Sequence, residues 1–185
     1  MKIVFVNGSP RPDGNTGTML KTLAKEARQR GAEVTYYEIL GKDVQDCDGC
    51  YRCESEARCV KDDDMTEAYE LIRSCDAFVI GSPIYMGAET GMTKCFVDRL
   101  YCMIAQKKLR PGKKAAALFT CGMIEGHIFY YYMQTRYDKL LRDDLGFENV
   151  MSSIVSGMKT KVDVEGSFYA QKTLKEMAQF LFPEG

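Results

Sequence analysis

Four cysteines stand close together in the sequence at a spacing that suits a metal centre. Cys47, Cys50, Cys53 and Cys59 form the pattern C-x2-C-x2-C-x5-C. Three thiolates with two residues between neighbours can bind one face of a cubane cluster, and the fourth can complete the ligand set after a short turn. The spacing favours one [4Fe-4S] cluster, with zinc and a set of reduced thiols as the alternatives, because composition does not identify a metal.

A second feature with chemical potential is the segment 8–18, which is rich in glycine and in hydroxyl side chains. Free amides at a helix N-terminus attract phosphate, and glycines allow the backbone to approach it closely. The segment lacks both G-x-x-x-x-G-K-[ST] and G-x-G-x-x-G, the patterns typical of nucleoside triphosphate and dinucleotide sites. It therefore favours a terminal monophosphate, the alternative being a turn that only caps a helix.

The segment 83–87 offers a surface suited to a flat ring. Pro83 limits the backbone, Tyr85 and Met86 present aromatic and polarizable surface, and Gly87 leaves space at a ring edge. The alternative for Tyr85 is a buried aromatic side chain at the end of a strand. If a flat ring binds here, its nitrogen and oxygen atoms would need hydrogen-bond partners from the backbone of this segment.

Between these segments, apolar runs of strand length alternate with amphipathic stretches of helix length. Strands are predicted at residues 3–6, 34–40, 77–80, 115–119 and 150–155, and helices at residues 18–30, from about 64, 91–105, 127–145 and 167–182. Runs that are apolar at every position need cover on both faces, as in a parallel sheet. We therefore predict one α/β domain over residues 1–185, a three-layer sandwich with a cysteine-rich loop at 47–59.

The motifs carry a resemblance to a known family. Gly8-Ser9-Pro10-Arg11 with Gly14-Asn15-Thr16, and Ser82-Pro83-Ile84-Tyr85-Met86-Gly87, resemble the two FMN loops of the flavodoxin-like NAD(P)H-dependent FMN reductases. The resemblance implies a flavodoxin-like fold with a five-stranded parallel sheet of order 2-1-3-4-5. In that order, the ligand lies beyond the carboxyl ends of the first and third strands.

The same resemblance assigns roles to individual residues. It implies that the phosphate is held by Ser9, Arg11, Asn15, Thr16 and Thr18. It implies that the flavin ring is bordered by Pro83, Ile84, Tyr85, Met86 and Gly87, and flanked by Thr120, Cys121 and Gly122 after the fourth strand.

The cysteine pattern and the following Asp62-Asp63-Asp64-Met65 resemble the iron-sulfur flavoproteins, a branch of the same group. That likeness implies that Cys47, Cys50, Cys53 and Cys59 bind a cluster that accepts electrons from FMN. No proline follows the fourth cysteine, and no further cysteines stand in register for a second cluster, so one cluster at most is expected.

The remaining features are expected to be structural. Cys75, Cys95, Cys102 and Cys121 are predicted core residues, of which Cys121 alone is expected to face the flavin. His127, the only histidine, is expected at a helix start, and Asp98-Arg99 is expected either in a dimer contact or on a solvated face. Asp64 with Glu67 forms a capping-box pattern.

Composition argues against several classes of partner. The formal net charge of −1 provides no cationic field for nucleic acid or an anionic membrane. A charged leader and an apolar run of membrane-spanning length are both missing from the sequence, which predicts a cytoplasmic protein. Eight cysteines in such a compartment are expected to stay reduced unless a metal or a redox task uses them.

The leading interpretation is an FMN-dependent oxidoreductase that takes electrons from NAD(P)H and passes them to a small acceptor or to the cluster. No catalytic side chain is assigned, because the flavin carries the chemistry. One alternative is an iron-sulfur flavoprotein electron carrier that works with a ferredoxin-type partner, and another is a non-enzymatic flavin-binding regulatory protein. The resemblance also implies a homodimer or a homotetramer.

Overall fold

A computed structural model describes residues 1–106, 112–160 and 163–183. Five strands form one parallel sheet in the order β2-β1-β3-β4-β5, which confirms the predicted topology. The strands are β1 (Lys2–Asn7), β2 (Glu33–Glu38), β3 (Ala77–Pro83), β4 (Lys114–Thr120) and β5 (Asn149–Val155).

The helices lie on both faces of this sheet. They are α1 (Asn15–Gln29), α2 (Arg52–Glu56), α3 (Met65–Ser74), α4 (Gly91–Arg99), α5 (Tyr101–Gln106), α6 (Gly126–Phe129), α7 (Tyr131–Lys139), α8 (Asp163–Gly166) and α9 (Phe168–Leu181), with a π-helix at Leu140–Asp144. Successive strand residues point to opposite faces, so Phe78 packs in one core beneath α3, α4 and α7, while Val79 packs in the other beneath α1 and α9. The three-layer sandwich is thereby confirmed.

Two of the predicted long helices are interrupted. The helix expected over 91–105 divides into α4 and α5, and the one expected over 127–145 divides into α6, α7 and the π-helix. Tyr130 separates α6 from α7 with φ −105° and ψ 16°, outside the helical range. The apolar spacing continues across both breaks, so the sequence pattern alone did not reveal them. The short helices α2 and α8 were not predicted.

The ends of α3 are stabilised differently from the prediction. The capping box is wrong, because the Asp64 side chain caps no amide of α3 and instead accepts a hydrogen bond from the Asp43 amide at 2.7 Å. The Met65 amide donates to Asp63. At the other end, the buried ammonium of Lys113 donates to the carbonyls of Ile72, Arg73 and Cys75. It thus binds carbonyls that α3 leaves unpaired.

Candidate cofactor site

A cleft of about 380 Å³ lies at the carboxyl ends of the strands, where the strand order reverses. It is bounded by the loops that follow β1, β3, β4 and β5. Ten of the residues predicted from the sequence line it: Ser9, Arg11, Asn15, Thr16, Pro83, Ile84, Tyr85, Thr120, Cys121 and Gly122. The sequence missed the contribution of the β5 loop, where Met158, Lys159 and Thr160 complete the wall.

The loop after β1 holds its shape through its own hydrogen bonds. The Ser9 hydroxyl donates to the Arg11 carbonyl at 2.9 Å and accepts from the Arg11 amide at 3.1 Å. The Gly14 amide also donates to the Arg11 carbonyl, and the Ser9 amide donates to the buried side chain of Asn7. The Ser9 side chain therefore shapes the loop.

The first turn of α1 provides free amides at one end of the cleft. The helix begins at Asn15, and the first amide with a backbone acceptor inside this turn is that of Thr18, which donates to Gly14. The preceding amides have no intrahelical partner, which is the usual condition for anion binding. A Cβ at Gly17 would lie 2.0 Å from the Pro12 carbonyl oxygen, so only glycine lets the loop pack this closely.

Two polar contacts join α1 to the far wall of the cleft. The hydroxyls of Thr16 and Thr120 are 2.7 Å apart, and both residues are buried. The side-chain nitrogen Nδ2 of Asn15 donates to the carbonyls of Met158 and Thr160. The Asn15 oxygen Oδ1 is buried and has no hydrogen-bond partner within the described residues. An acceptor in this position suits a ligand hydroxyl better than a phosphate oxygen.

Arg11 and Tyr85 meet across the cleft. The guanidinium of Arg11 donates to the Tyr85 hydroxyl at 3.2 Å, and both side chains are exposed. Arg11 thus brings a positive charge to the same cleft that the free amides of α1 border. The donors of this end of the cleft suit an anion.

The loop after β3 is a tight turn tied to its neighbours. Tyr85 and Ala88 exchange backbone hydrogen bonds, and between them Met86 has φ 49° and Gly87 has φ 84°. The Ile84 amide donates to the Thr120 carbonyl at 2.8 Å. Met86 and Gly87 are not among the described residues that line the cleft, and neither is Thr18. Met86 is fully exposed beside its mouth.

The loop after β4 places one thiol in the wall of the cleft. Cys121 is buried, and a Cβ on Gly126 would lie 2.1 Å from its sulfur. Burial raises the pKa of the Cys121 thiol, while its hydrogen bond to Ser156 opposes that effect. The Ser156 hydroxyl oxygen is also 3.1 Å from Nδ1 of His127, at the start of α6. His127 is not among the described residues that line the cleft, and Ser156 connects it to Cys121.

The four clustered cysteines line a different cavity, of about 930 Å³, between the loop after β2 and helices α4, α5 and α7. Cys47 and Cys50 are exposed, and Cys53 and Cys59 are partly buried. Their thiol chemistry fits an iron-sulfur cluster and all four face one cavity. In the part of the chain that the structure describes, however, no three histidine, cysteine or acidic side chains converge as ligands of one metal ion.

The base of this cysteine loop is fixed by a buried ion pair. Arg99 of α4 donates to both carboxylate oxygens of Asp63, at 2.5 and 2.9 Å, and its guanidinium also donates to the Gln45 carbonyl. Both charged side chains are almost fully buried. Burial opposes the positive charge, but the hydrogen bonds to Asp63 raise the pKa of Arg99. The expectation of Arg99 on a dimer contact or a solvated face is therefore wrong, because Arg99 binds its own chain.

A fifth cysteine lies at the same cavity. Cys102 of α5 is buried in the core, as predicted, and lines this cavity together with Cys53 of α2. Burial and the nearby thiol of Cys53 raise the pKa of Cys102 to about 11. Sequence reasoning missed this proximity, because Cys102 belongs to an ordinary apolar helix pattern. The neighbouring Tyr51 and Tyr101 rings pack edge to face, and Tyr101 donates to Glu54 at 2.5 Å.

Comparisons with known proteins agree with this architecture. A model of the NADPH-dependent FMN reductase family matches residues 1–135. An iron-sulfur flavoprotein of Archaeoglobus fulgidus is 39% identical over 100 residues, which cover 54% of this chain and 46% of the relative. An iron-sulfur flavoprotein of Methanosarcina thermophila is 32% identical over 126 residues, which cover 68% of this chain and 66% of the relative. The chain spans about half to two thirds of the length of these relatives.

Solved structures show the same fold at low sequence identity. The NAD(P)H:quinone oxidoreductase of Methanothermobacter marburgensis superposes with a TM-score of 0.74 at 16% identity, covering 100% of this chain and 99% of that one. An FMN-dependent NADH-azoreductase of Bacillus anthracis, solved with FMN, gives a TM-score of 0.68 at 15% identity, with 97% and 98% covered. None of the helices in the described ranges is long and apolar enough to span a membrane.

Proposed function

The chain belongs to the NADPH-dependent FMN reductase family, and from this premise we propose that it is an oxidoreductase that binds FMN in the 380 Å³ cleft and reduces it with NAD(P)H. The observation that carries the proposal is the position of the free α1 amides and Arg11 at the point where the strand order reverses. Bound FMN would supply the electron-transfer chemistry, and the chain would supply its placement.

The phosphate end of FMN fits the end of the cleft beside α1. The unpaired amides at Asn15 to Gly17 and the guanidinium of Arg11 are donors, and phosphate oxygens are acceptors only. The hydroxyls of Ser9 and Thr16 contribute by holding the loop, since each already makes a hydrogen bond within the protein. The unpartnered Oδ1 of Asn15 would accept from a ribityl hydroxyl.

The ring end of FMN fits between the loops that follow β3 and β4. Ile84, Tyr85, Cys121 and Gly122 line this part of the cleft, and the backbone bond from Ile84 to Thr120 fixes the two loops together. Asp13, in the first loop, is the one acidic side chain among the described residues that line the cleft, and none of those residues is a histidine. We accordingly assign no catalytic side chain, and hydride transfer would depend on stacking geometry.

Flavin binding and reduction test the proposal directly. The purified chain should bind FMN stoichiometrically, and anaerobic addition of NADH or NADPH should bleach the flavin's visible absorbance in a saturable way. FMN that binds without any bleaching by either nucleotide would contradict the reductase and favour the non-enzymatic flavin-binding alternative. A chain that takes up no FMN would contradict both.

The phosphate assignment is tested by one arginine substitution and a matched control. Arg11→Ala should raise the dissociation constant of FMN about tenfold, because a charge-assisted hydrogen bond to phosphate contributes about 1.5 kcal/mol or more. Arg28→Ala, an exposed site in the last turn of α1, should leave it unchanged. Riboflavin, which lacks the phosphate, should bind wild type and Arg11→Ala equally. An equal loss for FMN and riboflavin would contradict the assignment.

A second function is favoured by the cysteines at the larger cavity. Cys47, Cys50, Cys53 and Cys59 all face it, and curated relatives carry the name iron-sulfur flavoprotein. One [4Fe-4S] cluster held by these thiolates would make the chain an electron carrier that exchanges electrons with a ferredoxin-type protein or a small acceptor. Anaerobic purification followed by iron and sulfide analysis tests it. About four irons per chain are expected, and iron-free protein with active NAD(P)H turnover would contradict the carrier.

A second copy of the chain is the proposed partner of the cleft mouth. Large apolar side chains are exposed there and on the adjoining segment: Tyr85, Met86, Met123, Ile124, Ile128, Phe129, Tyr131 and Tyr132. Exposed apolar surface of this extent is typical of an interface. Light scattering should give a dimer or tetramer, and Ile128→Lys with Phe129→Lys should dissociate it, whereas a wild-type monomer would contradict the assembly.

A further inference from the structure

We propose that Cys53 and Cys102 form a disulfide when the cysteine loop holds no metal, and that this bond withdraws Cys53 from the predicted ligand set. The pairing joins a predicted cluster ligand to a core cysteine that the sequence motif does not include. The disulfide itself is independent of the proposed functions, whereas its competition with metal rests on the proposed cluster.

The proximity of the two thiols is the first observation. Cys53 and Cys102 line the same cavity, and after burial the nearby thiol of Cys53 is the largest influence that raises the pKa of Cys102. Cys47 and Cys50, by contrast, are exposed. Their sequence spacing would favour a local disulfide, but the geometry favours the pair between two helices.

The packing of α2 on α5 is the second observation. Tyr101, next to Cys102, donates to Glu54 beside Cys53, and its ring packs against that of Tyr51. These contacts come from residues on both sides of the cysteine pair. They therefore hold the thiols together in the absence of a metal, and a cross-link here preserves the packing that is present.

Access to the thiols is the third observation. Both line the cavity of about 930 Å³, which opens to solvent beside the exposed Cys47 and Cys50. Cys53 is partly buried and Cys102 is buried, so a small oxidant meets Cys53 first. Cys102 then stands behind Cys53 as the resolving thiol.

The chemistry balances with a low-molecular-weight disulfide as the oxidant. Cys53 loses its proton and attacks one sulfur of the small disulfide, which forms a mixed disulfide and releases one thiolate. Cys102 loses its proton and attacks the Cys53 sulfur, which forms the internal disulfide and releases the second thiolate. The two released thiolates take up the two protons. Two protein thiols are thus oxidised and one small disulfide is reduced to two thiols.

Tryptic mapping of the full-length chain tests the pairing without any substitution. Trypsin separates Cys53 (residues 53–58), Cys59 (59–61), Cys102 (100–107) and the pair Cys47 and Cys50 (43–52). Iron-free, fully reduced protein is treated with oxidised glutathione, blocked with an alkylating agent and digested. We expect the cross-linked peptide of 53–58 with 100–107 to predominate and two thiols per chain to be lost. A predominant link within 43–61 would overturn the proposal.

Two variants and an iron-containing sample sharpen the result. Cys102→Ala should abolish the loss of two thiols, while Cys95→Ala, a partly buried cysteine of α4, should retain the cross-link. Protein purified anaerobically with iron should form at least tenfold less cross-link at equal oxidant. If the iron-containing protein cross-links as readily as the iron-free protein, Cys53 is not a ligand, and the proposed cluster fails while the disulfide stands.

Discussion

The loop after β1 and the loop after β2 leave the same edge of the sheet but are built on different principles. The first, residues 8–14, is short and fixed by hydrogen bonds among its own residues, as between Ser9 and Arg11. The second runs from the end of β2 to α3 and is fixed at its base by Arg99 and Asp63, while Cys47 and Cys50 are exposed. The first presents hydrogen-bond donors in fixed positions, and the second presents thiols, two of which are exposed to solvent.

This difference matters for how each site recognises its ligand. Preformed donors keep a fixed geometry and cost little ordering when a phosphate binds. Thiols on a longer loop suit a metal, because metal binding can supply the free energy that orders its ligands. The same freedom leaves the thiols open to competing chemistry when no metal is bound.

The largest effect is expected at the anchor of the second loop. Asp63→Ala leaves the buried guanidinium of Arg99 without its carboxylate, which should lower the free energy of unfolding by about 3–5 kcal/mol. Asp62→Ala removes an exposed neighbour and should change it by less than about 0.5 kcal/mol. Urea denaturation measures both. Equal effects of the two substitutions would mean that the ion pair does not anchor the loop.

A smaller effect, specific to ligand binding, is expected in the first loop. Gly17→Ala places a Cβ 2.0 Å from the Pro12 carbonyl, so the loop must move away from α1, and FMN affinity should fall by about tenfold. Gly91→Ala at the start of α4 meets no atom within 4 Å and serves as the control. Fluorescence titration with FMN measures both. Undiminished affinity in Gly17→Ala would show that the loop position is not required.

The smallest effect concerns the support of the first loop from β2. Burial raises the pKa of Glu38, while its hydrogen bond from Asn7 and the charge of Lys21 lower it and Asp13 raises it. The carboxyl group of Glu38 therefore binds its proton more tightly in the folded protein than in the unfolded chain. The contribution of Glu38 to stability consequently falls as the pH rises from its ordinary pKa of 4.5 through the raised value.

Glu38→Gln keeps an acceptor for Asn7 but cannot titrate. It should therefore remove the loss of stability that Glu38 causes as the pH rises. The variant should gain stability relative to wild type at about pH 7 and gain least at about pH 3, below both pKa values, where Glu38 is protonated in both states. Urea denaturation at both pH values measures the difference. A gain of equal size at the two values would contradict the role of the charge.

The fold could be predicted because its signals are local. The run Ala77-Phe78-Val79-Ile80 is apolar at every position, which only a strand covered on both faces explains, and the structure buries all four residues. The loops of the cleft could be placed because they follow such strands. The break at Tyr130 could not be predicted, because the apolar spacing of the helix continues through it.

The contacts that could not be predicted join residues far apart in the sequence. From the sequence alone, Arg99 and Asp63 would be expected on the surface, because nothing in either segment indicates burial. The structure buries both side chains. Cys102 was correctly predicted as a core residue, but its proximity to Cys53 depends on how α2 packs on α5. The lining by Met158 and Thr160 depends in the same way on the position of the loop after β5.

The burial of Lys113 has a consequence for chemical labelling. Its ammonium is enclosed by the carbonyls at the end of α3, so an amine-reactive reagent reaches it only after the start of β4 separates from that helix. Acylation of Lys113 at a rate far below that of the exposed Lys25 would therefore report on opening of the sheet at its amino-terminal edge, on the side of the molecule away from both loops.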